Sequence, residues 1–167
     1  FLKIHFLNEK IVYNEVILMN YERMKEIRTY FDNTQKQLAD YLNVSRSTYA
    51  GWENGIDSIP LLKLNEFCNY YKISLDYICG LSNQKKIDLI NDKIDKFVLG
   101  KNLKEIRTKN KHTQEKVANI TNIDQSNYSK CELGKMYIHT YALIEFAKHY
   151  KVSIDWLCGK VKDSEIK

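Results

Sequence analysis

The sequence predicts an all-α protein made of two tandem five-helix domains. Residues 21–80 and 100–159 align without a gap at an offset of 79, with 23 identities among the 60 pairs. In both copies almost every segment between turns spaces its apolar residues as a helix does, and no segment of the repeat predicts a strand. A period of this length repeated only twice favours two copies of one small domain over a solenoid.

The first two helices of each copy are predicted from apolar spacing and from a helix-start signal. In the first copy Met24, Ile27 and Phe31 recur at i, i+3 and i+7, which predicts one buried face of a helix. Thr34 then heads a capping box with Gln37, in which the hydroxyl and the amide each satisfy an orphan donor at a helix start. The second copy keeps the first two of these apolar positions, as Leu103 and Ile106.

A sharp turn precedes the third helix of each copy, and a glycine ends it. Asn tolerates the left-handed backbone that such a turn requires, Ser and Asp are good N-caps, and Gly is common just past a helix end. The residues are Asn43 and Asn122 at the turn, Ser45 and Asp124 at the N-cap, and Gly55 and Gly134 at the end.

The last two helices of each copy follow from an apolar stripe and a second capped start. The stripe consists of Leu64, Phe67 and Tyr71, repeated as Leu143, Phe146 and Tyr150. The closing helix has Ser74 or Ser153 as N-cap, Asp76 or Asp155 in its first turn, and Gly80 or Gly159 at its end. An acidic residue in the first turn is favoured by the positive end of the helix dipole.

The composition excludes several classes of protein. The 167 residues are 44% hydrophobic and 28% charged, with one Pro and six Gly, as expected of a globular rather than a disordered chain. No run of 18 apolar residues predicts a membrane span, and no signal peptide is apparent, so we expect a cytoplasmic, nucleoid-associated protein. Lys, Ile, Asn and Tyr supply 67 residues, and their AT-rich codons favour a bacterial or phage source.

No arrangement of reactive side chains predicts an enzyme, a metal site or a cofactor. The four cysteines (Cys68, Cys79, Cys131 and Cys158) include no pair at zinc-ligand spacing, and the four histidines form no ligand-spaced cluster with them. We expect the repeat equivalents Cys79 and Cys158 to be small buried hydrophobic residues, with a disulfide or zinc framework as the alternative. Paired carboxylates and a phosphate-binding loop are also missing.

The helix-turn-helix segment resembles a known family. Residues 34–55 read TQKQLADYLNVSRSTYAGWENG, with the small residue Ala39 where two helices cross and Asn43-Val44 at the turn. This segment is similar to the helix-turn-helix of the lambda-repressor/Cro (XRE) family, and the second copy keeps both features. The closing helix also resembles the family, so the likeness covers about three quarters of the chain. It implies two tandem lambda-repressor-like DNA-binding domains.

The repeat and the resemblance together predict the domain boundaries. We expect an N-terminal arm over 1–13, a first helix-turn-helix domain over 14–82, an amphipathic linker helix over 83–98, a second domain over 99–160 and a C-terminal tail over 161–167. The arm could be a small hairpin or an extended segment, or it could precede a natural start at Met19.

The linker helix is predicted from apolar residues at spacings of 3, 4 and 3. These residues are Ile87, Ile90, Ile94 and Phe97. We expect the stripe to pack the two domains together or to form the seam of a homodimer.

The resemblance implies which residues contact double-stranded DNA, because in this motif the N-terminal residues of the second helix meet base edges in the major groove. Carried over to this chain, the DNA-binding residues are Gln35, Ser45, Arg46, Ser47, Thr48, Gly51 and Asn54 in the first copy and Gln114, Gln125, Ser126, Asn127, Lys130 and Lys135 in the second. Arg46 suits O6 and N7 of guanine, and Gln125 suits N6 and N7 of adenine. Gln35 and Gln114 are expected at phosphates.

The resemblance also implies two ion pairs that support the third helix without touching DNA. The pairs are Arg28 with Glu53 and Arg107 with Glu132. The chain departs from the family pattern where Leu133 replaces the equivalent of Asn54. It departs again at Gly51, which lies inside a recognition helix at a cost of roughly 1 kcal/mol against Ala.

These observations predict a sequence-specific transcriptional regulator, most simply a repressor, with two non-identical reading heads and no enzymatic activity. The charge is uneven, since residues 21–83 carry −1 and residues 100–162 carry +6. The second copy is therefore the better match to a polyanion. The alternative is a protein-interaction or antitoxin-like adaptor in which one domain binds protein rather than DNA.

Overall fold

The computed structural model describes residues 22–86 and 88–166, and all regular secondary structure in those ranges is α-helical. The helices are α1 at 22–30, α2 Gln35–Tyr41, α3 Arg46–Glu53, α4 Leu61–Tyr71, α5 Leu75–Ile78, α6 Lys96–Lys109, α7 Gln114–Thr121, α8 Gln125–Glu132, α9 Thr140–Tyr150 and α10 Ile154–Leu157. The predicted all-α class is confirmed. The N-terminal arm, the start at Met19 and the stripe residue Ile87 lie outside the described residues.

By packing, the chain divides into two compact units, and the division falls inside the first repeat. Unit 1 ends at Ile59 and holds α1–α3, and unit 2 begins at Pro60 and holds α4–α10. Unit 2 thus combines the last two helices of the first repeat with the whole second repeat. This boundary differs from the domain boundaries at residues 82 and 98 that the sequence predicts.

Unit 1 contains the first helix-turn-helix. Its core side chains are Met24, Ile27, Leu38, Leu42, Tyr49 and Trp52. The predicted capping box forms, because Thr34 Oγ1 accepts from the Gln37 amide nitrogen and Gln37 Oε1 accepts from the Thr34 amide nitrogen. Asn43 takes a φ of 52°, the left-handed turn that the sequence predicts. Ser45 caps α3 by accepting from the amide nitrogen of Thr48 at 3.0 Å.

In unit 2 the second helix-turn-helix is formed by α7 and α8, with α6 against α8 and α9 against α7. Asn122 takes a φ of 53° at the turn between α7 and α8. A Cβ at Gly100 on α6 would lie 2.4 Å from the carbonyl oxygen of Cys131 and 2.7 Å from that of Glu132. The approach of α6 to α8 therefore requires glycine at this position.

The closing helices of the two repeats, α5 and α10, pack against each other inside unit 2 and cap each other. Asp76 accepts hydrogen bonds from Ser153 Oγ and, at 2.7 Å, from the amide nitrogen of Ile154 at the start of α10. Asp155 accepts one from the amide nitrogen of Asp76, at 3.0 Å, in the first turn of α5. The predicted caps Ser74 and Ser153 form as well. Each first-turn aspartate thus serves the other repeat's closing helix.

Buried polar groups surround this contact. Burial and the neighbouring Asp155 raise the pKa of Asp76 to about 6, although its hydrogen bonds act in the opposite direction. Lys160 is completely buried, and its Nζ donates to Oδ1 of Asn65 and Oδ1 of Asn69 on α4. Because a buried ammonium group requires such partners, Lys160 fastens the residues after α10 to α4.

The linker helix predicted over 83–98 is wrong. The described residues between α5 and α6 contain no helix, and α6 begins at Lys96 behind the N-cap Asp95. The backbone of the segment bonds to the rest of unit 2 instead: Lys85 O accepts from Ser74 N, Asp92 O accepts from the side chains of Asn65 and Asn69, and Ile90 N donates to Lys160 O. Backbone groups committed to these tertiary bonds are not available for the ladder of a helix.

The apolar stripe expected along that helix does not form one face. Ile94 is 7% exposed, whereas Ile90 and Phe97 are 60% and 64% exposed. The stripe therefore gives no helical seam for a homodimer, and the homodimer itself stays a prediction. Phe31, directly after α1, is 51% exposed, although its spacing places it on the predicted buried face.

The four cysteines are free and buried. Burial agrees with the expectation that Cys79 and Cys158 are small buried hydrophobic residues. Burial raises the pKa of the Cys131 thiol to about 11. Among the described residues no group of three or more His, Cys, Asp or Glu side chains is placed to hold a metal ion. No helix in the same ranges is long and apolar enough to cross a membrane.

Candidate nucleic-acid interface

A chain of hydrogen bonds leads from the interior of the second helix-turn-helix to the exposed start of α8. Arg107 Nε and Nη2 donate to the two carboxylate oxygens of Glu132 at 2.6 and 3.0 Å. Gln114 Nε2 donates to Glu132 Oε2 at 2.8 Å, and Gln125 Nε2 donates to Gln114 Oε1 at 3.0 Å. Gln125 is the exposed first residue of α8, so its amide is held in one orientation at the surface.

The ion pair at the inner end of this chain is charged near neutral pH. Burial alone would raise the pKa of Glu132, but hydrogen bonds from Arg107 and Gln114 lower it below its usual range. The hydrogen bond to Glu132 likewise raises the pKa of Arg107. A charged Glu132 is a strong acceptor, and it therefore fixes the side chain of Gln114.

The first helix-turn-helix repeats the inner part of this arrangement. Arg28 Nε and Nη2 donate to the carboxylate of Glu53 at 2.6 and 3.0 Å, and Gln35 Nε2 donates to Glu53 Oε2 at 3.0 Å. Both ion pairs that the resemblance implies are thus present, and each joins the first helix of its repeat to the third. The side chain of Glu53 is only 1% exposed, so this pair braces α3 from inside.

The side chains of Gln35 and Gln114 are expected at phosphates from the sequence analysis. In the structure they form hydrogen bonds within their own helix-turn-helix. Each donates its amide N–H to the buried glutamate of its own repeat. Gln114 also accepts from Gln125, so it positions a neighbouring side chain on the surface. Sequence reasoning did not find this positioning role, because the bond joins residues on two different helices.

The remaining predicted residues of the first copy are mostly at the surface. Arg46, Ser47 and Thr48 are exposed in the first turn of α3, and Asn54 is exposed at its end. Ser45 is exposed too, but its hydroxyl lies within hydrogen-bonding distance of the Ser47 and Thr48 hydroxyls, at 2.8 and 2.9 Å.

The equivalent residues of the second copy are also accessible. Ser126, Lys130 and Lys135 are exposed, and Asn127 is half-buried. The segment 107–137 carries six basic and three acidic side chains, a net charge of +3, whereas its equivalent 28–58 carries three basic and four acidic ones, a net charge of −1. The second helix-turn-helix therefore has the greater general attraction for a polyanion.

Gly51, predicted as a base-facing position, is buried, because the loop after α3 folds back over it. A Cβ at Gly51 would lie 3.1 Å from Oδ2 of Asp57. The Asp57 side chain is exposed and covers the part of α3 from which a residue at position 51 would project. Sequence reasoning missed Asp57, although a signal was available: the second copy has Lys130 and Met136 at these two positions.

Comparisons with known proteins agree with this geometry. A family model described as "Helix-turn-helix" matches residues 24–78, and one described as "Helix-turn-helix domain" matches residues 100–161. The chain is 34% identical over 88 residues to the uncharacterized HTH-type transcriptional regulator YobD of Bacillus subtilis (strain 168), which covers 53% of this chain and 70% of that protein. The chain belongs to the XRE-type helix-turn-helix transcriptional regulators.

A second relative of this XRE-type regulator is the HTH-type transcriptional regulator ImmR of the same strain. The two are 32% identical over 83 residues, which is 46% of this chain and 63% of ImmR. The alignment therefore spans slightly less than two thirds of that relative. No solved structure matches the chain at a comparable level of significance. The family binds DNA to regulate transcription, so the exposed starts of α3 and α8 are the candidate surfaces for that contact.

Proposed function

We propose that this XRE-type regulator is a sequence-specific repressor that reads double-stranded DNA with two unlike heads, the starts of α3 and α8. The observation that carries the proposal is the fixed amide of Gln125. Because Gln114 holds one amide N–H, the other N–H and the carbonyl oxygen of Gln125 remain for a base edge. This donor and acceptor pair matches N7 and N6 of adenine.

The first head has different chemistry. Arg46 is the exposed first residue of α3, and a guanidinium group matches the two acceptors O6 and N7 of guanine. The Arg28–Glu53 ion pair braces the same helix and so supports its use as a rigid reading element.

The presence of two unlike helix starts, those of α3 and α8, on one polypeptide supports the use of one chain as the DNA-binding unit. Symmetric homodimers of helix-turn-helix proteins read palindromes, because the symmetry of the operator mirrors that of the protein. Arg46 and Gln125 differ, so the operator of this regulator should consist of two dissimilar half-sites. On one face of the duplex their centres lie about 34 Å apart. If two chains also associate, the unequal pair is duplicated.

The test is selection of bound sequences from a random pool of duplex DNA with the full chain. We expect two dissimilar half-sites. Arg46→Ala should relax preference at one base pair by roughly 1–3 kcal/mol, and Gln125→Ala should do so in the other half-site. Lys63→Ala, a change of charge on α4, is the matched control and should alter no preference. A perfect inverted repeat would contradict the proposal.

Repression is tested separately from binding. The selected operator is placed across a promoter that drives a reporter, and the regulator is then induced. We expect reporter expression to fall with the wild-type chain and to recover with Arg46→Ala. Expression that rises on induction would make the protein an activator.

The second candidate function is the adaptor, in which the first head binds a protein instead of DNA. It is favoured by the charge of −1 over 28–58 and by Ile56, which is 74% exposed where the second copy has Lys135. In that case Arg46→Ala leaves binding to every DNA sequence unchanged, and selection recovers a single half-site.

A further inference from the structure

We propose that Asp57 is a specificity-determining residue of the first reading head, and that its carboxylate accepts a hydrogen bond from the exocyclic N4 amino group of a cytosine. The proposal rests on the proposed function, because it requires the first head to enter a major groove. It adds a base contact from the loop after α3, outside the recognition helix.

The position of the carboxylate is the first argument. Gly51 follows Ser47 by four residues, so the two share one face of α3. Asp57 Oδ2 lies 3.1 Å from the place where a Cβ at Gly51 would stand. The loop is held there by its backbone, since the amide nitrogens of Ile56 and Asp57 both approach the carbonyl oxygen of Gly51, at 2.9 and 3.4 Å. The carboxylate thus occupies the volume of a recognition-helix side chain.

The comparison of the two repeats is the second argument. The equivalents of Gly51 and Asp57 are Lys130 and Met136. The second head therefore presents a cation from the helix, and the first head presents an anion from the loop, at equivalent places. Both charged side chains are exposed. Among the described residues of unit 1 no cation pairs with Asp57, so its oxygens are accessible to a ligand.

The groups exposed in the major groove decide from which base this carboxylate accepts a hydrogen bond. A carboxylate only accepts hydrogen bonds, and phosphates repel it, so its favourable partners are amino groups on base edges. Cytosine offers an N4 amino group, whereas guanine offers two acceptors and thymine one acceptor and a methyl group. Adenine has an amino group too, but its N7 acceptor stands beside it and repels a carboxylate. Cytosine is therefore the preferred partner.

The spacing along α3 predicts where the cytosine lies. Positions 46 and 51 are five residues apart, which is about 7.5 Å along a helix axis. Base pairs are spaced about 3.4 Å apart along the duplex. For a recognition helix that lies along the groove, the cytosine should be about two base pairs from the guanine that Arg46 contacts.

The experiment measures base preference of the full chain on the selected operator and on all single-base variants of the first half-site. The wild type should prefer cytosine at one position by about 5- to 150-fold, and Asp57→Ala should abolish that preference alone. Asp57→Asn should move the preference from cytosine to adenine, because an amide offers both a donor and an acceptor. Ser58→Ala in the same loop is the control and should change nothing.

Four results would overturn the proposal. If the preference for cytosine survives Asp57→Ala, another residue makes the cytosine contact. Equal strengthening on every sequence would show that Asp57 only repels phosphate. An unchanged binding profile for Asp57→Ala, while Arg46→Ala still relaxes one base pair, removes the cytosine contact and leaves the proposed function intact. If both variants bind every sequence as the wild type does, the first head does not read DNA and the proposed function fails. Thermal unfolding of each variant confirms that it is folded.

Discussion

At the scale of single residues, the two proposed reading heads differ in how firmly their first side chain is held. Gln125 is bonded to Gln114, which is bonded to a buried glutamate, so its amide is oriented before any base arrives. Arg46 lies exposed at the equivalent helix start. A side chain that is already ordered loses less conformational freedom on binding. We therefore expect the second head to discriminate its base more sharply per contact than the first.

The Gln114–Gln125 pair yields a test by double-mutant cycle. Gln125→Ala should remove adenine preference at one base pair, and Gln114→Ala should weaken the same preference without contacting the base. Since one residue acts through the other, the double variant should be no worse than Gln125→Ala, with a coupling energy of about 0.5–3 kcal/mol. Binding to the operator and to its adenine-substituted variants measures each corner of the cycle. Additive losses would show that Gln114 acts independently.

At the scale of helices, one glycine sets how closely α6 approaches α8. The carbonyl oxygens of Cys131 and Glu132 fill the space where a side chain at Gly100 would begin. Glu132 is also the acceptor for Arg107 and Gln114, so the crossing lies at the inner end of the hydrogen-bond chain that leads through Gln114 to Gln125. A change at this crossing should therefore be felt both in stability and in DNA binding.

Gly100→Ala should destabilise the fold by roughly 1–3 kcal/mol, because its Cβ meets rigid backbone at 2.4 Å. Gly51→Ala is the matched control: its Cβ meets the mobile end of the Asp57 side chain at 3.1 Å. Ala is also the better helix former by about 1 kcal/mol, so the control should be neutral or slightly stabilising. Calorimetric melting of the two variants compares them directly. A tolerated Gly100→Ala would mean that α6 can move away from α8.

The exposed lysines of the second head predict its response to salt. Lys130→Ala and Lys135→Ala should each lower the slope of log affinity against log salt concentration by about one, because each phosphate contact that is lost no longer releases a counterion. Lys104→Ala on α6 makes the same change of charge and should leave the slope unchanged. Affinities between 50 and 200 mM salt, about the range over which such contacts are resolved, provide the measurement.

The local features of the helices could be predicted from the sequence, whereas several tertiary ones could not. Caps and turn residues such as Thr34 and Asn43 interact with residues only a few positions away, so a short stretch of sequence is enough to predict them. The stripe after Asn83 has helical spacing, but its backbone bonds to α4, α5 and the residues after α10, and no local pattern reports such bonds. The two repeats differ at both Gly51 and Asp57, but the sequence does not show that these positions meet, because only the folded loop brings Asp57 over Gly51.

At the scale of the whole chain, unit 2 is assembled from both repeats. The closing helix of the first repeat lies against that of the second, and the two aspartates complete each other's helix starts. Two carboxylates are thereby buried close together, and burial raises the pKa of Asp155 as well as that of Asp76. Stability of unit 2 should therefore depend on pH near neutrality.

Asp76→Asn tests that dependence. The pKa of Asp76 in the folded chain is about 6, above the value of about 3.9 for an unfolded Asp. A raised folded-state pKa contributes stability that is complete below about pH 4 and is lost as the pH rises through about 6. The wild type should therefore lose free energy of unfolding relative to Asp76→Asn between pH 4 and 7. Asp88→Asn removes an exposed carboxylate, so its free energy of unfolding should change with pH as that of the wild type does. Chemical denaturation at each pH measures all three, and three parallel curves would exclude Asp76 as the source.

If one chain reads both half-sites, as proposed, the tandem arrangement of its two helix-turn-helix segments also shapes the dose–response of the regulator. A homodimeric binder must assemble before it occupies its operator, so at low copy number its occupancy rises with the square of the protein concentration. When the two helix-turn-helix segments belong to one polypeptide, their association does not depend on protein concentration. Occupancy of the operator then rises linearly with that concentration. The promoter then responds to the first few molecules made, without the threshold that assembly of a dimer imposes.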